Sequence, residues 1–493
     1  MKKVAVFWVL LLCLFVFSCS KQGDLKIVEV TRTNIPVVYF TCVVKSGSAY
    51  DPAGKEGLSY FTAQLLKRGT KSFTREQIDD ILDLISGDIN VRVNREVIVI
   101  TGRTMKENLK RFYPIFSEMI LEPSFPSEEV EKMKSDQKSA IDGLIQDDAE
   151  LAKEGLMQYI FGGHAYGHSP LGKYSTIEQF TSKDVQDFHD RFFLKNNIIL
   201  GLSGDVDQSI IQRVKKDFSV LKVGKLPEVD RSADPLTGTK FFLIEKEGRD
   251  QVQLRFGFPY DLKRQNKQYF PILVANTYFG KHREMFGKLF KTVRAARGLS
   301  YGAYSYFEEF EQYQWSNLAQ PNNPLLYQYF SCWTYPKKVN AKFTIKLVLK
   351  LLSDLADNGI PEQGLKQAKQ FEENHFPFQI ETPDRLLGMK IDDEFYGTKT
   401  FSRNFERSAR KVTKQEVDAA LKKFISPEKI AIIAVVSNAE EFKNELISAR
   451  TEMQYPSGVN GSAMQQEDIK VMDFDLKAKP EDFSIIKVEE LFK

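Results

Sequence analysis

Two stretches of the sequence resemble each other: residues 181–204 read TSKDVQDFHDRFFLKNNIILGLSG, and residues 413–436 read TKQEVDAALKKFISPEKIAIIAVV. They align at a constant offset, which pairs Thr181 with Thr413 and Phe192 with Phe424. Each begins with a threonine followed three residues later by an acidic residue, the capping-box pattern that starts a helix. Each then passes through an amphipathic segment into an apolar strand. This internal repeat predicts one domain that has been duplicated.

The repeat suggests the division of the chain into domains. We expect a first domain over residues 24–221 and a second over residues 241–442, joined by a polar, proline- and glycine-containing linker at 222–240. Residues 443–493 form a tail in which we recognise no motif. In the first half, predicted strands are interleaved with pairs of helices and show no regular strand–helix–strand alternation, which favours the α+β class.

The composition is that of an ordinary globular protein. The chain has 493 residues, of which 42% are hydrophobic and 27% charged, enough for two large domains. Its formal net charge of +3 argues against nucleic acid as the main partner. The four cysteines show no spacing typical of a zinc cluster or a disulfide scaffold. Cys42 and Cys332 lie in strand-like runs and are interpreted as core residues.

The first residues have the features of an export signal. Lys2 and Lys3 precede an apolar run of 14 residues at 4–17, which is shorter than the about 20 residues that span a bilayer. The run ends at Ser18-Cys19, which resembles the bacterial lipobox. That resemblance implies a lipoprotein signal peptide at 1–18, lipidation of Cys19, and a chain tethered to a membrane of the bacterial cell envelope, facing the periplasm. The alternative is a plain secretion signal with a chance cysteine.

A predicted helix near the N-terminus carries the first signature. Residues 54–70 read GKEGLSYFTAQLLKRGT, with apolar side chains at helical spacing and with Tyr60, Ala63 and Gln64 on the opposite face, where Tyr60 lies beside Gln64. Residues 49–73 resemble the signature of the pitrilysin/insulinase family of zinc peptidases, the inverzincins, whose helix carries H-x-x-E-H. The resemblance extends over residues 26–440. It implies two homologous domains, each a mainly antiparallel sheet with helices packed on it, that form a clamshell.

The resemblance also shows what this chain lacks. The two zinc-binding histidines of the family correspond to Tyr60 and Gln64, the general base to Ala63, and the third ligand to Ile141. None of these side chains is a zinc donor or a base. We therefore expect no metal and no other cofactor in this chain. His164 and His168 are four residues apart, but they lie in a glycine- and proline-rich segment and are interpreted as structural or surface residues.

The second half retains another family motif. Residues 289–305 read LFKTVRAARGLSYGAYS and resemble the segment in which the family places an arginine and a tyrosine opposite the zinc. The resemblance implies that Arg294 and Tyr301 are catalytic, stabilising the negative oxygen of the tetrahedral intermediate. Arg297 is a nearby alternative for the arginine. Asn90 matches a family residue on the edge strand that binds substrate by strand addition.

The family includes heterodimers in which one subunit carries H-x-x-E-H and the other only the Arg/Tyr pair. The leading interpretation is therefore the non-zinc subunit of a membrane-anchored, heterodimeric zinc peptidase. It implies a homologous partner that holds the zinc, and a peptide substrate. The main alternative is a catalytically inert scaffold or peptide-binding protein of the same fold. An independently active metallopeptidase would rest on fold analogy alone and conflicts with the lost ligands.

Overall fold

The computed structural model describes residues 25–229, 233–307, 324–459 and 461–493. The predicted signal peptide and Cys19 lie outside these residues. The first half is built on a five-stranded sheet in the order β1-β5-β2-β4-β3, in which only β1 and β5 are parallel neighbours. Its strands are β1 (Lys26–Thr31), β2 (Val37–Val44), β3 (Asp88–Val93), β4 (Ile98–Met105) and β5 (Ile198–Gly204).

The second half is built on a six-stranded sheet in the order β11-β6-β10-β7-β9-β8. Its strands are β6 (Lys240–Glu245), β7 (Gln253–Tyr260), β8 (Ala303–Tyr306), β9 (Gln328–Thr334), β10 (Ala431–Val436) and β11 (Phe483–Lys487). Without β11, the order and the strand directions reproduce those of the first sheet. The prediction of an α+β protein with two homologous domains is confirmed.

Helices cover both sheets. In the first half they are α1 (Leu58–Leu65), α2 (Arg75–Leu84), α3 (Leu109–Leu121), α4 (Ser127–Gln146), α5 (Asp148–Ile160), α6 (Tyr174–Ile177), α7 (Ser182–Phe192) and α8 (Gln208–Asp217). In the second half they are α9 (Tyr269–Phe279), α10 (Lys338–Asn358), α11 (Glu362–Gln379), α12 (Pro383–Tyr396), α13 (Phe401–Lys411), α14 (Lys414–Phe424), α15 (Ala439–Ile447) and α16 (Gln465–Met472). In the described part of the chain, no helix has the length and apolar content needed to cross a membrane.

One helix from each half packs against the sheet of the other half. Helix α5 lies against β7 and β10, where a Cβ on Gly155 would come within 2.7 Å of Ile244 and a Cβ on Gly257 within 2.7 Å of Leu156. Helix α12 lies against β1 and β5 in the same way, over Gly201. Glycine permits these close approaches because it has no side chain. Because of this packing, α5 lies between the helix that contains Tyr60 and the segment that contains Arg294 and Tyr301.

The C-terminal tail ties the two halves together. Strand β11 pairs in parallel with β6 at the edge of the second sheet. Beyond it, Leu491 and Phe492 are buried in the core of the first half, where the Phe492 carbonyl accepts a hydrogen bond of 3.0 Å from the Tyr174 N–H. Burial of such apolar side chains contributes about 1.5–3 kcal/mol each. The tail is thus part of the packed structure.

Candidate functional site

Helix α1 carries three of the positions that the resemblance aligns with the family's zinc-binding motif. The carboxylate of Asp51 fixes the start of the helix by accepting hydrogen bonds of 2.7 Å from the N–H groups of Gly57 and Ser59. Tyr60 is half-buried and lines a cavity of about 380 Å³. Ala63 is fully buried, although the helical spacing placed it on the face away from the core. The difference arises because α4, α7 and β3 pack around α1 on several sides.

Gln64 makes a contact that a zinc-binding histidine would not make. Its side-chain Nε2 donates a hydrogen bond of 3.1 Å to the carbonyl of Val91 on β3, an edge strand of the first sheet. The Asn94 N–H donates a hydrogen bond to the Val97 carbonyl. In an antiparallel pair every second residue bonds to the neighbouring strand, so Asn94, Arg92 and Asn90 face β4 and the residues between them face away from it. The Val91 carbonyl therefore points to the open edge of the sheet. Gln64 occupies one acceptor that an added peptide strand would use.

The position that the resemblance aligns with the third zinc ligand is buried. Ile141, on α4, is fully buried in the core of the first half. Its neighbour Asp142 accepts a hydrogen bond of 2.5 Å from the Tyr174 hydroxyl. Among the described residues there is no group of three or more His, Cys, Asp or Glu side chains that could hold a metal ion. A phenol, an amide and two buried apolar side chains do not fit zinc.

The Arg/Tyr pair predicted from the sequence lies in the second half, where the two side chains contact each other. A π-helical turn at Phe290–Ala295 presents Arg294, whose guanidinium carbon lies 3.7 Å from the centre of the Tyr301 ring. The Tyr301 side chain is 68% exposed, so its hydroxyl is available to a ligand. Arg297 is only 2% exposed and binds the Asp468 carboxylate at 2.8 Å. Arg297 therefore has a structural role.

The two motifs face two adjoining cavities. Arg294 and Tyr301 line a cavity of about 630 Å³ on the second half, next to the smaller cavity at Tyr60. Glu150 and Lys153, on α5, line both cavities. Helix α5 thus separates the cavity at α1 from the cavity at the Arg/Tyr pair.

The larger cavity is strongly cationic. Of the described residues that line it, Lys153, Arg255, Arg283 and Arg294 are basic and Glu150 is acidic. Lys153, with Arg255 and Arg95, holds the pKa of Glu150 below its usual range despite burial, so Glu150 is ionised at neutral pH. Burial and the nearby arginines lower the pKa of His282 to about 4, so its imidazole is neutral.

Three further residues of this cavity were not predicted from the sequence: Arg255, Trp333 and Tyr304, which lie side by side across β7, β9 and β8. One signal was available: an arginine inside the apolar run QLRFGFPY is unusual in a buried strand. The partners of Arg255 could not be found in this way, because strand pairing joins residues that are far apart in the sequence.

The other candidate residues have ordinary surroundings. Asn90 is exposed on β3, where its side-chain amide donates a hydrogen bond of 2.7 Å to Asp88, and its role in substrate binding stays a prediction. His164 is buried and accepts a hydrogen bond from the Tyr166 N–H at 3.0 Å. His168 lies 3.3 Å from the Asp51 carboxylate that caps α1.

Comparison with known proteins places these features in a family. Residues 26–172 match the model of insulinase (peptidase family M16), and residues 179–371 match the model of the peptidase M16 inactive domain. A protein named "Non-peptidase homolog YmxG" from Helicobacter pylori is 23% identical over 88% of this chain and 98% of its own length. An "Uncharacterized zinc protease YmxG" from Bacillus subtilis is 22% identical over 60% of this chain and 70% of its own length.

Solved structures share the fold. The peptidase M16 inactive domain from Pseudomonas fluorescens superposes with a TM-score of 0.73 at 20% identity, over 84% of this chain and 96% of that one. A protease from Helicobacter pylori gives a TM-score of 0.72 at 16% identity, over 84% and 97% of the two chains. The two family models together cover more than half of the sequence. This chain therefore belongs to the M16, or insulinase, family, as a peptidase-like homologue whose described residues form no metal-binding group.

Proposed function

We propose that this chain is the non-zinc subunit of a two-chain zinc peptidase, to which it supplies Arg294 and Tyr301. One observation carries the proposal: Arg294 and Tyr301 are stacked on each other, Tyr301 is exposed, and both line a cavity, while the described residues include no metal-binding group. A chain that served only as a scaffold would have no chemical need for this arrangement.

The pair suits the hydrolysis of a peptide bond. When water attacks the carbonyl carbon, negative charge develops on the carbonyl oxygen, and a positioned hydroxyl donor stabilises it. The Tyr301 hydroxyl would donate this hydrogen bond. The guanidinium of Arg294, stacked on the Tyr301 ring, would add positive charge and hold the substrate carbonyl. The water-activating metal and base would belong to a homologous partner with an intact H-x-x-E-H motif, since the residues here cannot supply them.

Reconstitution tests this proposal. We expect the purified chain to bind no stoichiometric zinc and to cleave no peptide alone, and to copurify with a homologue that carries H-x-x-E-H. Zinc content should follow the partner, and hydrolysis should require both chains. The measurements are metal analysis and peptide cleavage for each chain and for the mixture. One tightly held zinc in this chain, lost together with its own activity on chelation, would refute the proposal.

A second candidate function is an inert scaffold or peptide-binding protein. The inert scaffold is favoured by the Gln64–Val91 hydrogen bond, which occupies part of the edge at which a substrate strand would pair. The printed name of the Helicobacter pylori relative, a non-peptidase homologue, agrees with it. This candidate predicts that a complex with a zinc-bearing partner is equally active when Arg294 and Tyr301 are replaced.

We also propose that Cys19 anchors the mature chain to a membrane of the cell envelope, on the evidence of the lipobox-like Ser18-Cys19 after the apolar run. Labelled fatty acid should be incorporated into the wild type in cells, because acyl chains are attached at this thiol. Cys19→Ser should incorporate none and should appear in the soluble fraction, while Cys42→Ser, which alters a buried core thiol, is the matched control. Unchanged labelling of Cys19→Ser would place the anchor elsewhere or exclude it.

A further inference from the structure

We propose that the cavity beside Arg294 and Tyr301 binds a carboxylate group of a peptide ligand, with Arg255 as the central anion-binding residue. The inference rests on the proposed function only in taking the ligand to be a peptide. It adds the chemical class of group that the site selects, and it assigns a role to residues outside the two sequence motifs.

The floor of the cavity is the face of the second sheet that turns away from its own helices. On this face, register places Arg255 of β7 opposite Trp333 of β9, and Trp333 opposite Tyr304 of β8. The next row on the same face contains Gly257, Ser331 and Tyr306. Because Gly257 lacks a side chain, α5 comes close there and closes one side of the cavity. The arginine therefore sits at the base of a depression bounded by α5 and by the edge strand β8.

Arg255 is incompletely satisfied in this position. It is only 5% exposed, and its Nε–H has no hydrogen-bond partner in the structure. Its guanidinium lies 5.2 Å from the centre of the Tyr306 ring, a cation–π distance. The nearby acid, Glu150, is paired with Lys153 at 3.4 Å. A buried guanidinium with a free donor is costly, and a ligand carboxylate would satisfy it with charge-assisted hydrogen bonds.

The surroundings add charge and an apolar wall. Arg283 and Arg294 line the same cavity, so a negative ligand would meet several positive groups. Aromatic rings form a continuous wall: the ring centres of His282 and Tyr304 are 4.4 Å apart, and those of Tyr304 and Trp333 are 5.6 Å apart. Such a wall favours apolar or aromatic residues next to the carboxylate. The cavity, at about 630 Å³, is large enough for a short peptide segment.

A carboxylate in a peptide has two sources, the C-terminus and the side chains of Asp and Glu. Calorimetric titration of the purified chain can separate them with two pairs of synthetic peptides. The first pair is the tetrapeptide Ala-Ala-Phe-Phe as free acid and as C-terminal amide. The second is the amide of Ala-Phe-Glu-Phe and the amide of Ala-Phe-Gln-Phe. We expect at least one carboxylate peptide to bind about 10- to 100-fold more tightly than its neutral counterpart.

The decisive variant is Arg255→Met, which removes the charge and keeps a long apolar side chain. It should abolish the preference for the carboxylate and leave the affinity for the neutral peptide nearly unchanged. Arg103→Met, at an exposed position of the first sheet, is the matched control and should retain the preference. If Arg255→Met does not fold, the exposed Arg283→Met replaces it, with an expected loss of several-fold in the carboxylate preference.

The outcomes are distinct. A preference for the free acid identifies the C-terminus as the ligand group, and a preference for the glutamate peptide identifies a side chain. Equal affinities within both pairs, or a preference that survives Arg255→Met, would overturn the inference. A carboxylate preference in the purified chain without hydrolysis in the reconstituted complex would reject the proposed function and retain this binding site.

Discussion

Replacing Tyr301 with phenylalanine should lower kcat of the reconstituted two-chain complex about 100- to 1000-fold, the usual effect of removing one donor to an oxyanion. Tyr301→Phe keeps the aromatic ring on which Arg294 stacks and deletes only the hydroxyl. Because the side chain is 68% exposed, its hydroxyl contributes little to folding. The variant should therefore fold and bind the partner as the wild type does, and the loss should appear in kcat at equal occupancy of the complex.

Tyr278→Phe is the matched control, because Tyr278 is a half-buried tyrosine on α9 that lines neither of the two cavities. It should leave kcat within about twofold of wild type, as expected for a residue that does not touch substrate. A loss of less than tenfold in Tyr301→Phe would mean that the hydroxyl does not act on the transition state. The scaffold function would then explain the retained pair better.

Local signals in the sequence predicted much of the fold. Thr181 and Thr413 both form the expected capping boxes, each accepting a hydrogen bond from the backbone three residues ahead. The repeat that contains them predicted two homologous domains, and the two sheets share one strand order. These features could be predicted because capping and amphipathic periodicity depend on residues that are close in the sequence.

The cationic cavity could not be predicted from the sequence in the same way. Arg255, Trp333 and Tyr304 meet only because β7, β9 and β8 pair in one register. The packing of α5 and α12 on the sheet of the opposite half is equally non-local. It depends on the close approach of side chains from the other half to the backbone at Gly155 and Gly201. The burial of Ala63 has a similar cause: three neighbouring elements pack around α1, and helical spacing describes only one helix at a time.

The four positions that the resemblance aligns with the family's metal site differ in their structural surroundings. Tyr60 and Gln64 are half-buried and border a cavity or the open edge of β3, so a polar side chain at either position keeps access to water. Ala63 and Ile141 are fully buried in the core. Restoring the family residues should therefore be tolerated at the first two positions and resisted at the other two, because a buried carboxylate without a partner is strongly unfavourable.

Ile141→Glu should accordingly lower the free energy of unfolding by about 3–5 kcal/mol, through the loss of an apolar contact and the burial of an unpaired carboxyl group. Ile141→Met, which nearly conserves volume, should cost less than about 1.5 kcal/mol and is the matched control. Gln64→His should cost about 1 kcal/mol, the value of its hydrogen bond to the Val91 carbonyl. Urea denaturation of the three variants gives these differences. If Ile141→Glu were as stable as Ile141→Met, position 141 would have kept the solvent access of a metal site. The closure of the core around it would then not explain why the described residues form no metal site.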